Sequence, residues 1–371
     1  MIRLTKPELS GALEGLDRLL DQGFLVQGEL VRRFEEEVAG YVGRGHGVAV
    51  NSGTAAIQCA LMASGIGPGD EVAIPDFTFP ATANAVVQAG ASPVLVDIDP
   101  VTFNISPDDL ERRIGDKVRA VMPVDLFGLA ADFDAIRDIC ARRGLKLIED
   151  SACALGAKYG DAGCGSFGDA SVLSFHPRKV VTTGEGGMVL VDDGRVAERV
   201  RELRNHGMRY SGGRAEFVAA GFNFRMTEIA ALLGLNQMKN LDTMIEKRRS
   251  IAAAYGRLLE GTAGVTAPVE PPGRFHSYQA YVVVLDRGLD RDAVIGMLRE
   301  RKVESTIGTY AVHSQPFYRH MLGHGPGDFP NSTNAMNQSL ALPMYPAMTE
   351  DQVVEVVRAL EKSVSEASPG K

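Results

Sequence analysis

The segment SFHPRKVVTTGEGG brings Ser174, Lys179 and the glycines between Gly184 and Gly187 into one strand-turn-strand passage. A lysine amine attacks a carbonyl efficiently when desolvation or a neighbouring cation such as Arg178 favours its neutral form, so Lys179 is a candidate for Schiff-base chemistry. Upstream, IEDSACALGA ends an apolar run at Asp150. A carboxylate at that end of a strand can pair with a pyridinium nitrogen and keep it protonated, as an electron-withdrawing ring requires. In NSGTAAI, Ser52, Gly53 and Thr54 lead a helix and offer N–H groups, hydroxyls and a positive dipole end to a phosphate. In DFTFPATANA, Phe77 or Phe79 could lay a flat face against a ring. Each feature has a plainer reading when taken alone: a solvated lysine, an aspartate capping a turn, an ordinary Ser/Thr helix cap, a core phenylalanine.

These residues sit at the joints of a regular alternation. GVAV at 47–50 leads into TAAIQCALMASG, EVAIP at 71–75 into TANAVVQAG, SPVLVDI at 92–98 into SPDDLERRI, and AVMPVDL at 120–126 into DFDAIRDICARRG, before KLIED closes at Asp150. Short, near-continuously apolar strands alternating with helical patterns predict an α/β fold, a mostly parallel sheet covered on both faces. Ligands of such sheets gather at the carboxyl ends of the strands. SVLSF at 171–175 and GGMVLVDD at 186–193 read as later strands, 208–221 as a loop, and MTEIAALLGLNQMKNL and 242–259 as long helices. TAGVTAPVEPPGRF is a candidate crossing into a second α+β unit made of YQAYVVVLD, RDAVIGMLRERK and a helix from Thr349, and the tail SEASPGK is expected to fray.

Composition narrows the partners. Lys+Arg 39 against Asp+Glu 47 gives a net charge of −8, which discourages binding to a phosphate backbone, so nucleic acid is not an expected partner. Four cysteines without a CxxC pair point to free thiols in a reducing compartment, and no run approaches the ~18 apolar residues of a membrane span. The N-terminus lacks the apolar core of a secretory signal, and a cytoplasmic protein with no membrane association is expected. GxGxxG is missing after the strand at Val48, which argues against a nicotinamide oxidoreductase, and the serine-hydrolase elbow GxSxG does not occur; with no HExxH and no His at zinc-ligand spacing from the cysteines, no metal site is expected.

In chain order, then, come a phosphate cradle, an aromatic face, an acid for a ring nitrogen and an amine for an aldehyde, which is the set that pyridoxal 5′-phosphate needs. With these in place the sequence resembles the DegT/DnrJ/EryC1/StrS family of pyridoxal-phosphate-dependent sugar aminotransferases. The matching segments are VNSGTAAI, TFPATANA, VLVDID, IEDSACALGA, SFGDASVLSFHPRK, TTGEGGMV, LRNHGM, GFNFRMTEIAALLG and LPMYPAMT, in family order over nearly the whole chain. The resemblance implies the transferase fold of type I, with a large cofactor-binding domain over residues 1–245 and a smaller C-terminal domain over 246–371. It implies that Lys179 forms the Schiff base, Asp150 meets the ring nitrogen, Phe79 stacks on the ring, and Thr54, Ala55 and Ser174 hold the phosphate. It further implies a homodimer with shared active sites, in which Asn223 reaches the partner's phosphate, and places His313 and His206 near the sugar. At Cys153 the family usually carries Gln or His, which would touch the cofactor's 3′ oxygen; a thiol donates more weakly. The implied reaction converts a nucleotide-linked keto sugar to an amino sugar, with L-glutamate as amino donor. A sugar dehydratase, a non-sugar aminotransferase and a cofactor-binding regulatory protein are the alternatives. The dehydratase branch replaces the lysine by histidine, and a regulator needs a DNA-binding or sensory module.

Overall fold

The computed structural model describes residues 1–367. Its central sheet has seven strands: β1 (His46–Val50), β2 (Glu71–Pro75), β3 (Ser92–Val96), β4 (Val118–Val121), β5 (Lys146–Asp150), β6 (Ala170–Ser174) and β7 (Gly187–Val191). They lie in the order β1-β7-β6-β5-β4-β2-β3. Neighbours from β6 to β3 are parallel, whereas β7 runs antiparallel to both β6 and β1. Helices Gly53–Ala63, Ala81–Gln88, Pro107–Arg113 and Phe133–Arg143 follow β1 to β4, as parallel connections require. Between Ser174 and Gly187 there is no helix, and a short connection returns a neighbouring strand antiparallel. The carboxyl ends of β1, β2, β5 and β6 consequently share one edge of the sheet.

Strand alternation feeds two dry faces. Val48, Val50, Val172, Val189 and Val191 pack with Ile57 and Leu61 on one side. Ala49, Leu173, Met188 and Leu190 pack with Phe34, Val38 and Leu235 on the other. Both faces are covered, so these strands read as unbroken apolar runs in the sequence. Burying a side chain such as Phe34 stabilises the fold by about 1.5–3 kcal/mol.

A second sheet, β8 (Val265–Thr266), β9 (Tyr281–Leu285), β10 (Thr306–Ile307) and β11 (Ser339–Leu342), is antiparallel in the order β8-β9-β11-β10. Its core takes residues from helices Arg291–Glu300 and Glu350–Ala367, and Ile2 from the far end of the chain. The helix Leu241–Leu259 joins the two cores: Leu241, Met244 and Ile245 belong to the first, and Ile251, Ala252, Tyr255 and Leu259 to the second. Residue 245 thus falls inside a continuous helix. The proline-rich segment leads back from β8 to Arg274–Phe275, which pairs with Lys158–Tyr159 of the large sheet's β5–β6 connection.

Three details depart from the sequence reading. The supposed loop 208–221 contains a hairpin, Met208–Ser211 against Arg214–Phe217, turned by Gly212 and Gly213 at φ +56° and +79°. AVMPVDL is not one strand: β4 ends at Val121, Val124 bridges to Asp150, and Leu126–Gly128 is a short 3-10 turn. In the tail SEASPGK, Ser365 to Ala367 continue the final helix, and 368–371 lie outside the described residues. Among the described residues no helix is long and apolar enough to cross a membrane.

Candidate active site

The turn after β1 is built around close approach. A Cβ on Gly187 would lie 2.3 Å from the Ser52 carbonyl oxygen, and one on Gly53 would lie 2.8 Å from Ser174 Cβ. Only glycine at both places lets the start of helix Gly53–Ala63 sit against the ends of β6 and β7. Ser52 is extended and spends its hydroxyl as the cap, accepting from the Ala55 N–H at 3.1 Å. The N–H groups of Gly53 and Thr54 take no acceptor among the described residues. With the half-buried hydroxyls of Thr54 and Ser174 they present donors and a positive dipole end to one spot.

One strand over, β5 ends in Asp150, which is 2% exposed. Thr82 Oγ1 donates to its Oδ2 at 2.9 Å, and the Ala152 N–H donates to its Oδ1 at 3.2 Å. Burial raises the carboxyl above its ordinary range, opposed by Thr82, the Ala152 N–H and the charge of Lys179. Lys179 Nζ donates to Cys153 Sγ at 2.9 Å. The loop that carries it is clamped from two elements. Gln237 accepts from the Thr182 N–H at 3.1 Å and donates to the Thr182 carbonyl, and Gln279 donates to the Arg178 carbonyl at 2.9 Å.

Lys179, Asp150, Cys153, Ser174, Thr54 and Ala55 therefore meet at one edge of the sheet, while the remaining candidates lie around it. Phe79 is 63% exposed, with Tyr310 edge-on at 6.3 Å between ring centroids. It follows Thr78, whose hydroxyl lies 3.3 Å from that of Thr82, so a chain of side chains runs from the Phe79 loop to Asp150. Phe77, the other aromatic considered, is fully buried against Phe103 and Phe127. Asn223 is exposed and its carbonyl accepts from Asn51 Nδ2 at 3.3 Å. His206 is exposed, in the left-handed region at φ +59°. His313 is 2% exposed, with Nδ1 at 2.6 Å from Asp76 Oδ2 and its N–H donating to Asp76 Oδ1 at 2.7 Å.

Thr82, Gln237, Gln279 and Asp76 escaped sequence reasoning. Their partners stand 68, 55, 101 and 237 positions away, and no local pattern marks such pairs. The residues present fit pyridoxal 5′-phosphate. Open helix N–H groups suit a dianionic phosphate, a buried acid raised by burial gains from a cation brought beside it, and the lysine amine has a thiol as its one acceptor among the described residues.

The seven-stranded, mostly parallel sheet with a smaller antiparallel sheet matches solved aminotransferase structures and places the chain in the pyridoxal-phosphate-dependent transferase fold of type I. The crystal structure of the aminotransferase TlmJ from Streptoalloteichus hindustanus matches with a TM-score of 0.92 at 33% identity, over 99% of each chain. The chain belongs to the DegT/DnrJ/EryC1/StrS aminotransferase family, whose pattern covers residues 10–361. It is 38% identical over 369 residues to the spore coat polysaccharide biosynthesis protein SpsC of Bacillus subtilis (strain 168), spanning 96% of this chain and 95% of SpsC. It is 39% identical over 339 residues to the GDP-perosamine synthase of Caulobacter vibrioides, spanning 90% of each. The chain is thus an enzyme of a pyridoxal-phosphate-dependent sugar aminotransferase family.

Proposed function

We propose that this enzyme aminates a nucleotide-linked keto sugar, with L-glutamate as amino donor and pyridoxal 5′-phosphate as cofactor. The observation that carries the reading is the Lys179 amine, held against Cys153 and close enough to the buried Asp150 for its charge to act on that carboxyl. When bound, the cofactor supplies an aldehyde for primary amines and a protonated ring that draws electrons from the adjoining carbon. Lys179 anchors it, and once released by the incoming donor its Nζ takes up and returns the proton that moves in the reaction. Asp150 holds the proton on the ring nitrogen, and Thr82 steadies Asp150.

Thr54 and Ser174 bind the phosphate with the open Gly53 N–H, the Ala55 N–H implied for that role being taken by Ser52 Oγ; Phe79 covers the ring, and Cys153 faces the 3′ oxygen. His313 has Nδ1 committed to Asp76 and so offers Nε2 toward the sugar, with His206 on the approach. Asn223, exposed in this chain, serves the site of a second copy in a homodimer. Residues 1–245 supply most of the cofactor-binding domain and 246–371 most of the smaller domain, with Ile2 in the second core and the helix Leu241–Leu259 crossing the boundary. The free cysteines fit work in a reducing cytoplasm. Lys179 favours transamination over the dehydratase alternative.

The test is to incubate the purified enzyme with glutamate and UDP-, GDP- and dTDP-linked keto sugars and weigh the products. An amino sugar from at least one of them is expected. Amination confined to keto acids would overturn the sugar assignment, and loss of water from the sugar without gain of nitrogen would favour the dehydratase.

A further inference from the structure

The four cysteines are not equivalent. Cys59, Cys140 and Cys164 are buried, and burial pushes their thiols up, Cys59 and Cys140 to about 12. Cys153 alone is partly open to solvent. It is also the cysteine with an amine at contact distance, since Lys179 Nζ stands 2.9 Å from its sulfur and has no other acceptor among the described residues. The two atoms are held there by separate means. Cys153 lies in the turn closed by the Ala154 N–H on the Ser151 carbonyl at 2.9 Å, and the Lys179 loop is pinned through Gln237 and Gln279. A pair fixed in this way has already met most of the entropic cost of bringing two reacting groups together.

We infer that Cys153 and Lys179 form a reversible sulfur–nitrogen cross-link under peroxide. Hydrogen peroxide oxidises the Cys153 thiol to a sulfenic acid: its O–O bond breaks, an S–O bond forms, and one water leaves with the thiol proton. The neutral Lys179 amine then attacks that sulfur. The N–S bond forms as the S–O bond breaks, and the departing hydroxide takes the amine proton as a second water. Overall, sulfur gives two electrons to the peroxide and the chain loses two hydrogen atoms. A thiol reductant attacks the sulfur, the S–N bond breaks to return the free amine, and a second thiol resolves the mixed disulfide left on Cys153, releasing its thiol and the oxidised reductant. The cross-link rests only on the contact between the two side chains. Its consequence rests on the proposed function: the link takes the anchoring amine, so a bound cofactor protects the pair and oxidation blocks cofactor attachment.

The experiment treats the full-length chain with hydrogen peroxide, once without pyridoxal 5′-phosphate and once saturated with it, and follows intact mass and tryptic peptides. Without the cofactor, the expected result is loss of two hydrogen atoms and a joined peptide containing Cys153 and Lys179, both reversed by dithiothreitol. Cys153→Ser and Lys179→Arg should each form no link, and because the assignment comes from the unmodified chain's own peptides, a variant that fails to fold does not weaken it. Cys153 carried on to sulfinic or sulfonic acid with no joined peptide would overturn the inference, as would an unmodified Cys153 when exposed methionines are oxidised. A link forming equally fast with and without the cofactor would uphold the cross-link and count against Lys179 as the cofactor's anchor.

Discussion

Glu149 and Asp150 are consecutive residues at the end of β5, both buried, both carboxyls held above their ordinary range by that burial, and strand alternation turns them to opposite faces. Glu149 faces a closed network. Its oxygens accept from Ser151 Oγ at 2.6 Å, the Gly165 N–H at 2.7 Å and the Phe167 N–H at 2.8 Å. Asp125 beside it accepts from the Ala131 N–H at 2.9 Å, and its Oδ2 lies 2.7 Å from the same Ser151 oxygen, whose single proton the two acids share. With Cys164 these acids lie within 4.8 Å of one another, and each carboxyl oxygen already has a donor. Asp150 has one hydroxyl, one N–H and the charge of Lys179 across the site. Equal burial therefore does different work: one carboxyl is saturated from within and braces the strand end, and the other is left able to gain from a cation that arrives with a ligand.

The largest effect expected on either side is at the amine. Lys179→Ala should lower transamination about 10⁴-fold, because both attachment and proton transfer are lost, while cofactor binding through the helix N-terminus persists. Turnover measured beside equilibrium binding of the cofactor checks it. On the closed side, Glu149→Ala strands the buried N–H groups of Gly165 and Phe167 and should cost about 3 kcal/mol of stability, read by urea denaturation.

Asp150→Asn sharpens the contrast through pH. The raised carboxyl of Asp150 leaves the cofactor-free fold free of this ionisation penalty at low pH, and the penalty sets in as pH rises through the raised value. The Asn variant should lack that fall and melt no lower than the parent at neutral pH, yet lose about 10²-fold or more in activity. Thr82→Val removes one of two donors to Asp150, should cost about 1 kcal/mol, and should move the fall in stability to higher pH, since the hydroxyl is what pulls that carboxyl down. The smallest effect is spectral. Cys153→Gln should shift the pH titration of the bound cofactor's absorbance and Cys153→Ser should change it little, whereas a lowered melting point with an unshifted titration would mean that residue 153 only fills space.

The parallel strands and the order of Ser52, Asp150 and Lys179 along them were legible because both faces of the sheet are dry and strand ends are marked by glycine and small polar residues. The hairpin at 208–217 was not, although Gly212-Gly213 carries the backbone signature of a two-residue turn. Its strand residues from Arg209 to Phe217 are exposed, so no apolar alternation announced them. The supports of the site were hidden for another reason. Thr82, Gln237 and Gln279 act across long stretches of sequence, and an ordinary polar residue has no local mark of the partner it will meet. Asp76 on His313 is the extreme case, since only the folded chain joins the end of β2 to the turn after Tyr310–Ala311.

The most direct test of the account reduces the pyridoxal 5′-phosphate-loaded enzyme with borohydride and maps the labelled peptide. The label is expected on Lys179 within SFHPRKVVTTGEGG, with loss of the yellow colour on reduction. A label on Lys146 or Lys158 would contradict the account.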